Sequence, residues 1–136
     1  MNYSDIIKES LRMREMSYCP YSGHAVGAAL LTKDGRIYTG CNIESATYSP
    51  TICAERTAIF KAVSEGSMEF SAIAISGGPK GKNPTKYSFP CGVCRQVMAE
   101  FCTDDFIIIV CNSEDEYEVH TLGELLPHSF GKEDMS

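Results

Sequence analysis

The spacing of apolar residues in the first half of the chain predicts a helix, a hairpin and a second helix. The elements follow in the order helix 3–18, strand 24–32, strand 36–41, loop 42–52 and helix 53–65. The apolar stripe of the first helix consists of Tyr3, Ile7, Leu11 and Tyr18. Ser4 is a candidate N-cap for that helix, Asp34-Gly35 is a hairpin turn, and Gly66 ends the second helix.

The second half of the chain alternates short apolar runs with polar and glycine-rich segments. Its elements follow in the order strand 72–76, loop 77–89, helix 90–101, strand 106–110, strand 117–120 and helix 121–126, before a loose tail over 131–136. Pro90 suits the first position of a helix, and Pro127 ends the last one. Residues 106–110 are apolar throughout, which is typical of a strand that is buried on both faces.

This order of elements predicts an α/β protein, a three-layer α-β-α sandwich with a central mixed five-stranded sheet. The 136 residues suffice for one compact domain and are too few for two ordinary ones. We therefore predict a single domain over residues 1–136. The loop 77–89 is rich in glycine, proline and lysine, and we expect it to be a solvated, mobile surface loop.

Charge and hydropathy exclude several classes of partner. The net charge is −6 and no basic stripe is visible, so we expect no nucleic-acid binding. No apolar run reaches membrane-spanning length, and the first residues lack a secretory signal, so we expect no membrane contact. Seven cysteines are an odd number for a disulfide framework, which favours a reducing cytoplasm.

Three cysteines at metal-binding spacing indicate the chemistry of the chain. Cys91 and Cys94 stand three positions apart at the start of a predicted helix, and Cys53 opens another helix. Helix N-termini favour thiolates, and three thiolates leave one tetrahedral position of a zinc ion open, as in catalytic zinc sites. Glu55 follows Cys53 by two residues, and we expect it to fold back to the same helix end and move protons without binding the metal.

A redox pair, or half of a structural zinc knuckle, is the plainer interpretation of a Cys-x-x-Cys motif. Glu55 argues against a structural site, which has no use for an unbound carboxylate, and no fourth Cys or His stands at knuckle spacing. Three thiolates would leave zinc with a formal negative charge, so we predict that Arg56 donates a hydrogen bond to a ligand sulfur and withdraws charge from it. The remaining cysteines are interpreted as small core residues: Cys19, Cys41, Cys102 and Cys111.

Six sequence stretches together carry a resemblance to a known family. They are Pro20-Tyr21-Ser22, Val26-Gly27-Ala28-Ala29-Leu30, Gly40-Cys41-Asn42-Ile43-Glu44, Cys53-Ala54-Glu55-Arg56-Thr57-Ala58, Pro90-Cys91-Gly92-Val93-Cys94-Arg95-Gln96 and Leu125-Leu126-Pro127. On these motifs the chain resembles the small homotetrameric, zinc-dependent cytidine deaminases. The resemblance implies one zinc ion per subunit, and hydrolysis of cytidine and deoxycytidine to uridine and deoxyuridine with release of ammonia, in pyrimidine salvage.

The resemblance also implies roles for single residues. Cys53, Cys91 and Cys94 are expected to hold zinc, and Glu55 to shuttle protons while zinc-bound hydroxide attacks carbon 4 of the base. The expected nucleoside contacts are Asn42 and Glu44 to the ribose 3′-hydroxyl and the Ala54 N–H to the base carbonyl. The residues expected to reach into a neighbouring subunit's site are Ala46, Tyr48 and Phe130.

His24 departs from the family pattern, because relatives carry Phe at this position, where the ring packs against the base. Imidazole is smaller, polar and able to gain a proton near neutral pH, so we expect weaker, pH-dependent base binding. The departure keeps open a deaminase of another aminopyrimidine nucleoside, such as a nucleoside antibiotic. A non-catalytic zinc-stabilised module is the third hypothesis. The loop 77–89 also looks longer than is usual in the family.

Overall fold

The computed structural model describes residues 3–135, and within them four α-helices and five strands. The helices are α1 (Ser4–Met13), α2 (Ala54–Ser64), α3 (Gly92–Phe101) and α4 (Leu122–Leu125). The strands are β1 (His24–Thr32), β2 (Ile37–Cys41), β3 (Phe70–Pro79), β4 (Ile107–Cys111) and β5 (Tyr117–Thr121). Single 3-10 segments at Arg14–Met16 and Lys132–Met135 complete the list.

The five strands form one sheet in the order β2-β1-β3-β4-β5. β3 and β4 run parallel, with Ala74 opposite Ile109, because α3 connects them and returns the chain to the same end of the sheet. The other three neighbouring pairs are antiparallel. The predicted mixed five-stranded sheet is therefore confirmed.

Helices cover both faces of this sheet. On one face α1 buries Ile6 and Ile7 against small and branched side chains of the central strands. On the other face α2 and α3 contribute Ile59 and Met98 to the larger core, which also contains Ile73. Neighbouring residues of a strand point to opposite faces, so each central strand serves both cores. The three-layer α-β-α sandwich is confirmed.

Two glycines let the helices approach the sheet closely. A Cβ on Gly27 would lie 1.9 Å from the Ser10 carbonyl oxygen of α1, and a Cβ on Gly40 would lie 2.4 Å from the Ala54 carbonyl oxygen of α2. Both neighbours are helix backbone, which has little room to move. The contact at Gly40 fixes the first turn of α2, and with it the position of Cys53, against β2.

Helix boundaries differ from the sequence prediction at three places. Tyr3 is the N-cap of α1 and Ser4 is its first helical residue, so the predicted Ser4 cap is wrong. The regular helix ends at Met13, and Tyr18 lies outside it with 56% of its surface exposed. Pro90 precedes α3 rather than opening it, because Cys91 takes the N-cap position with extended backbone.

The segment predicted as the loop 77–89 is more strongly anchored than expected. Residues 77–79 extend β3, and Pro84 is buried. The Arg14 side chain donates from Nη2 to the Pro79 and Lys82 carbonyls, at 3.0 Å each. Lys80 Nζ donates to the Ser17 carbonyl over 2.5 Å. Residues 77–79 are therefore strand rather than loop, while residues 80–83, 85, 86 and 89 are exposed as predicted.

The end of the chain is partly regular. The predicted loose tail contains the 3-10 turn Lys132–Met135, and Ser136 lies outside the described residues. Between residues 3 and 135, no helix is long and apolar enough to cross a membrane. The assignment of residues 1–136 to one domain stays a prediction.

Candidate active site

Three cysteine sulfurs meet where the first turns of α2 and α3 face each other. The Sγ atoms of Cys53 and Cys91 are 3.8 Å apart, and those of Cys91 and Cys94 are 3.3 Å apart. All three sulfurs lie within 4.8 Å of one another. This cluster brings together residues that are 38 positions apart in the sequence.

Local backbone geometry explains the arrangement. Cys53 and Cys91 are both N-caps with extended backbone, so their side chains project from the helix starts. Cys91 Sγ also accepts a hydrogen bond from the Cys94 N–H over 3.4 Å, which is a capping interaction at the start of α3. Two helix N-termini thus direct unpaired N–H groups and partial positive charge at one cluster of sulfurs.

The charges within the cluster are unevenly shared. The neighbouring Cys94 thiol, assisted by Arg56 and Cys91, lowers the pKa of Cys53. The interaction with Cys53, together with burial, raises the pKa of Cys94. Arg56 Nη2 donates to Cys53 Sγ over 3.4 Å, and this bond raises the pKa of Arg56. The metal-free cluster therefore favours the thiolate form of Cys53 over that of Cys94.

This donor set fits a zinc ion. Thiolates are soft ligands that select zinc, and the thiols lose their protons when a metal binds. The cluster of metal-ligating side chains consists of Cys53, Cys91 and Cys94, without a fourth His, Cys, Asp or Glu among residues 3–135. Three protein ligands correspond to a catalytic site with an open position rather than to a closed structural one.

Glu55 is a buried carboxyl group beside this cluster. It lies in the first turn of α2 and is only 4% exposed. Burial is the main reason why the pKa of Glu55 rises to about 7, and the charge of Cys53 raises it further. A carboxyl group with a pKa near neutrality can both accept and return a proton at physiological pH.

A short β-bridge brings the segment 42–44 to the cysteines. Ile43 and Ile52 exchange two main-chain hydrogen bonds, of 3.0 and 2.9 Å. Ile52 directly precedes Cys53, so Asn42 and Glu44 flank the start of α2. The structure therefore brings the main chain of the two expected ribose-binding residues close to the start of α2.

The side chains of these two residues brace the entrance to β1. Asn42 Nδ2 donates to the His24 carbonyl over 2.8 Å, while its Oδ1 accepts from the Val26 N–H over 2.9 Å. Glu44 Oε1 accepts from two main-chain N–H groups, and its Oε2 accepts from the Ser22 hydroxyl over 2.5 Å. The Ser22 hydroxyl is the main cause of the lowered pKa of Glu44, which stays ionised.

His24 begins β1 at the same end of the sheet. Its main-chain N–H donates to Ser22 Oγ over 3.0 Å. A Cβ on Gly77 would lie 2.3 Å from Ser88 Oγ and 3.2 Å from His24 Nε2. The His24 ring therefore packs over Gly77 beside Ser88.

The other expected site residues occupy different surroundings. Ala54 is the first residue of α2, so its N–H is one of those that the helix leaves without an acceptor. Ala46 and Tyr48 lie exposed in the loop before α2, and Tyr48 adopts a positive φ of 63°. Phe130 is 60% exposed, and its carbonyl accepts a 2.7 Å hydrogen bond from Gln96 Nε2.

Sequence reasoning missed several residues that hold the site together. Ser22 binds both Glu44 and the His24 N–H, a role that the motif Pro20-Tyr21-Ser22 alone does not reveal. Arg95 and Gln96, in the first turns of α3, donate to carbonyls of the segment 125–130. These contacts join distant parts of the chain, and no local sequence pattern signals them.

A cavity of about 670 Å³ lies elsewhere, between the end of α1 and the anchored segment after β3. Arg14, Lys82 and Asn112 are among its lining residues. None of the clustered cysteines borders it. The chemistry of the side chains, and not cavity size, therefore identifies the candidate active site.

The fold and the cysteine cluster define a zinc-binding α/β protein with an open metal position. The model of the cytidine and deoxycytidylate deaminase zinc-binding region matches residues 1–110. A cytidine deaminase of Sporosarcina psychrophila is 49% identical over 136 residues, which are 100% of this chain and 96% of that protein. The crystal structure of cytidine deaminase from Burkholderia pseudomallei has a TM-score of 0.85 at 41% identity, covering 96% of this chain and 100% of that chain.

A blasticidin-S deaminase of Bacillus cereus is 35% identical over 107 residues, which are 76% of this chain and 75% of that protein. The chain belongs to the cytidine and deoxycytidylate deaminase family, and it is a zinc-dependent hydrolytic deaminase. The expectation of one zinc ion per subunit agrees with the family and with the cysteine cluster.

Proposed function

We propose that this protein hydrolyses cytidine to uridine and ammonia. The observation that carries the proposal is the buried carboxyl group of Glu55 next to three clustered cysteine sulfurs. Cytidine deaminases that match nearly the whole chain support the same substrate. A non-catalytic zinc module gains no support, since such a module needs no buried, unbound carboxyl group.

Cys53, Cys91 and Cys94 would hold zinc, which when bound supplies a Lewis acid that makes water a better nucleophile near neutral pH. Glu55 takes one proton from the attacking water and delivers it to ring nitrogen 3. It carries the second water proton to the departing amine. The water oxygen bonds to carbon 4 and the carbon–nitrogen bond breaks, so the products are uridine and ammonia.

The remaining side chains orient the nucleoside. The second amide hydrogen of Asn42 and the remaining acceptor capacity of Glu44 match a ribose hydroxyl, which both donates and accepts hydrogen bonds. The Ala54 N–H at the start of α2 faces the base carbonyl, and His24 packs beside the base. Because Asn42 and Glu44 also brace β1, the sugar site is rigid before the nucleoside binds.

An absorbance assay with a substrate panel tests this function. Cytidine, deoxycytidine, cytosine and cytidine monophosphate are each mixed with the zinc-loaded protein, and the loss of absorbance is followed. We expect turnover of cytidine and deoxycytidine, and much slower turnover of free cytosine, which lacks the sugar. Equal rates for cytosine and cytidine would contradict the sugar-binding role of Asn42 and Glu44.

The second candidate function is deamination of an aminopyrimidine nucleoside antibiotic. The similarity to a blasticidin-S deaminase and the histidine at position 24 favour it. Adding blasticidin S to the substrate panel separates the two functions. A kcat/KM for the antibiotic above that for cytidine would make this second function the principal one.

We place these activities in a homotetramer within the cytoplasm. Tyr48 is 77% exposed and Phe130 is 60% exposed, and aromatic rings of this exposure suit contacts with a neighbouring subunit's site. The seven free cysteines suit a reducing compartment.

Light scattering measures the mass of the oligomer in solution, and mixed oligomers of Glu55→Gln and Phe130→Ala subunits test whether active sites are shared between subunits. Activity regained on mixing supports sharing, whereas two inactive variants that stay inactive in proven mixed tetramers contradict it.

A further inference from the structure

Cys91 directly follows a residue with a single main-chain hydrogen-bonding group. Pro90 is buried and, as a proline, has no N–H to donate. Its carbonyl is therefore the one main-chain group through which this residue can be held, and a buried carbonyl requires a partner. The partner of the Pro90 carbonyl thus controls where the chain enters Cys91.

Arg95 is that partner. Its Nε donates to the Pro90 carbonyl over 2.7 Å, and its Nη1 donates to the Leu125 carbonyl, also over 2.7 Å. The guanidinium group is planar and its donors are fixed relative to one another, so this one side chain sets the separation of the two carbonyls. A lysine ammonium on a flexible stem cannot reproduce that geometry.

The second carbonyl belongs to a firmly held element. Leu125 is the last residue of α4, and the carbonyls at the end of a helix receive no hydrogen bond from N–H groups of the same helix. Thr121 and Glu124 form a capping box at the other end of α4, and Leu122 is only 2% exposed within the core. Arg95 therefore braces the segment before Cys91 against a fixed point of the fold.

We propose that Arg95 is a positioning residue of the zinc site: it holds Pro90 against α4 so that the Cys91 sulfur stays directed at Cys53 and Cys94. This inference deepens the proposed function and rests on Cys91 being a zinc ligand. Cys91 is exposed whereas Cys94 is fully buried, so Cys91 is the sulfur that depends more on such a brace. Outer groups that orient a ligand typically change metal affinity about 10- to 100-fold when they are removed.

The test measures how fast zinc leaves the holoenzyme to an excess of a colorimetric chelator at constant pH. The variants are Arg95→Ala and Arg95→Lys, with Cys91→Ser as a ligand control. Arg12→Ala is the matched control, because Arg12 is an exposed arginine of α1 that pairs with Glu9. We expect both Arg95 variants to release zinc about tenfold faster than the unmodified protein, and Arg12→Ala to release it at the unmodified rate.

Circular dichroism and the urea midpoint of each variant separate positioning from folding. A merely structural role lowers the urea midpoint and leaves zinc release from the folded protein unchanged, and that result overturns the proposal. If Arg95→Ala fails to fold, Arg95→Lys, which keeps the charge and most of the stem, decides in the same way. If Cys91→Ser loses its zinc while the Arg95 variants release zinc at the normal rate, the positioning role of Arg95 is refuted and the ligand assignment of Cys91 stands. Normal zinc retention in Cys91→Ser refutes the ligand assignment in the proposed function, and the positioning role with it.

Discussion

The Arg56 guanidinium donates a hydrogen bond to the Cys53 sulfur over 3.4 Å. The bond raises the pKa of Arg56 and, after the larger effect of the Cys94 thiol, helps to lower that of Cys53. The hydrogen bond that the sequence predicted between Arg56 and a ligand sulfur is confirmed. Its consequence, a zinc site with less negative charge on its sulfurs, stays a prediction.

Replacement of Arg56 by alanine tests that consequence. With Arg56 absent, the Cys53 sulfur keeps more of its charge, and zinc becomes a poorer Lewis acid while its ligands remain. We expect kcat to fall about tenfold or more while the zinc content stays near that of the unmodified protein. Arg36→Ala, which removes an exposed arginine paired with Asp34, is the control and leaves both quantities unchanged. Unchanged turnover with full zinc would refute the tuning role.

Glu55→Gln separates proton transfer from metal binding. Glutamine keeps the shape of the side chain and cannot carry a proton, so kcat should fall by about 10²- to 10⁴-fold. Elemental analysis of the same sample should still find the zinc content of the unmodified protein. A variant that loses its zinc would indicate that Glu55 is a ligand, and a variant with full activity would exclude it as the proton shuttle.

The raised pKa of Glu55 also predicts a pH dependence of stability in the zinc-depleted protein. The pKa rises from 4.5 to about 7 on folding, so between these values the folded state binds more protons than the unfolded state. The contribution of Glu55 to stability then falls as the pH rises through this window, by about 3 kcal/mol in total. The zinc-depleted Glu55→Gln variant has no titrating group at this position, so it does not lose this part of its stability.

Urea unfolding of the two zinc-depleted proteins at several pH values measures the effect. The stability of Glu55→Gln relative to the unmodified protein should increase between pH 4.5 and about pH 7 and level off above. A difference that stays constant over this range would contradict the buried, protonated carboxyl group. Titrating groups that do not interact with Glu55 are common to both proteins and cancel in the comparison.

Gly27→Ala tests the close packing of α1 on the sheet. The added methyl group would lie 1.9 Å from the Ser10 carbonyl oxygen and 2.9 Å from the Arg14 nitrogen, both of them backbone atoms. Overpacking of this kind costs about 1–3 kcal/mol of unfolding free energy, and we expect the upper part of that range. Gly92→Ala has no atom within 4 Å of the new carbon and serves as the control. Equal urea midpoints for the two variants would show that the helix can move away.

His24→Phe tests the departure from the family pattern. A phenyl ring offers a larger apolar face to the base and does not change charge between mildly acidic and mildly alkaline pH. We expect a lower KM for cytidine in the variant, and a KM that depends less on pH than that of the unmodified protein. If the substitution leaves KM and its pH profile unchanged, His24 does not contact the base.

The features that follow from local chemistry could be predicted from the sequence. The five strands, the turn at Asp34-Gly35 and the stop at Gly66 follow from periodicity and glycine placement, and both glycines have positive φ. The cysteine cluster follows from residue type and spacing. The extent of β3 could not be predicted, because Gly77 and Gly78 weaken the strand signal and pairing with β1 overrides it.

The supporting contacts of the site depend on distant residues and left no local signal. Arg14 holds Lys82 across 68 positions, which anchors a segment whose composition alone indicates a free loop. Arg95 reaches Leu125 across 30 positions. The sequence predicts that α3 starts at Pro90, but a proline suits the position just before a helix equally well. The sulfur of Cys91 caps the helix and sets the observed boundary.

Zinc titration of the metal-free protein, with cytidine turnover read at each addition, tests the central claim most directly. We predict no turnover without metal, a linear rise with added zinc, and a sharp break at about one equivalent per chain, the occupancy of a single site with three protein ligands. Cytidine turnover by protein that elemental analysis finds free of zinc would contradict the account, as would a fully zinc-loaded protein that leaves cytidine unchanged.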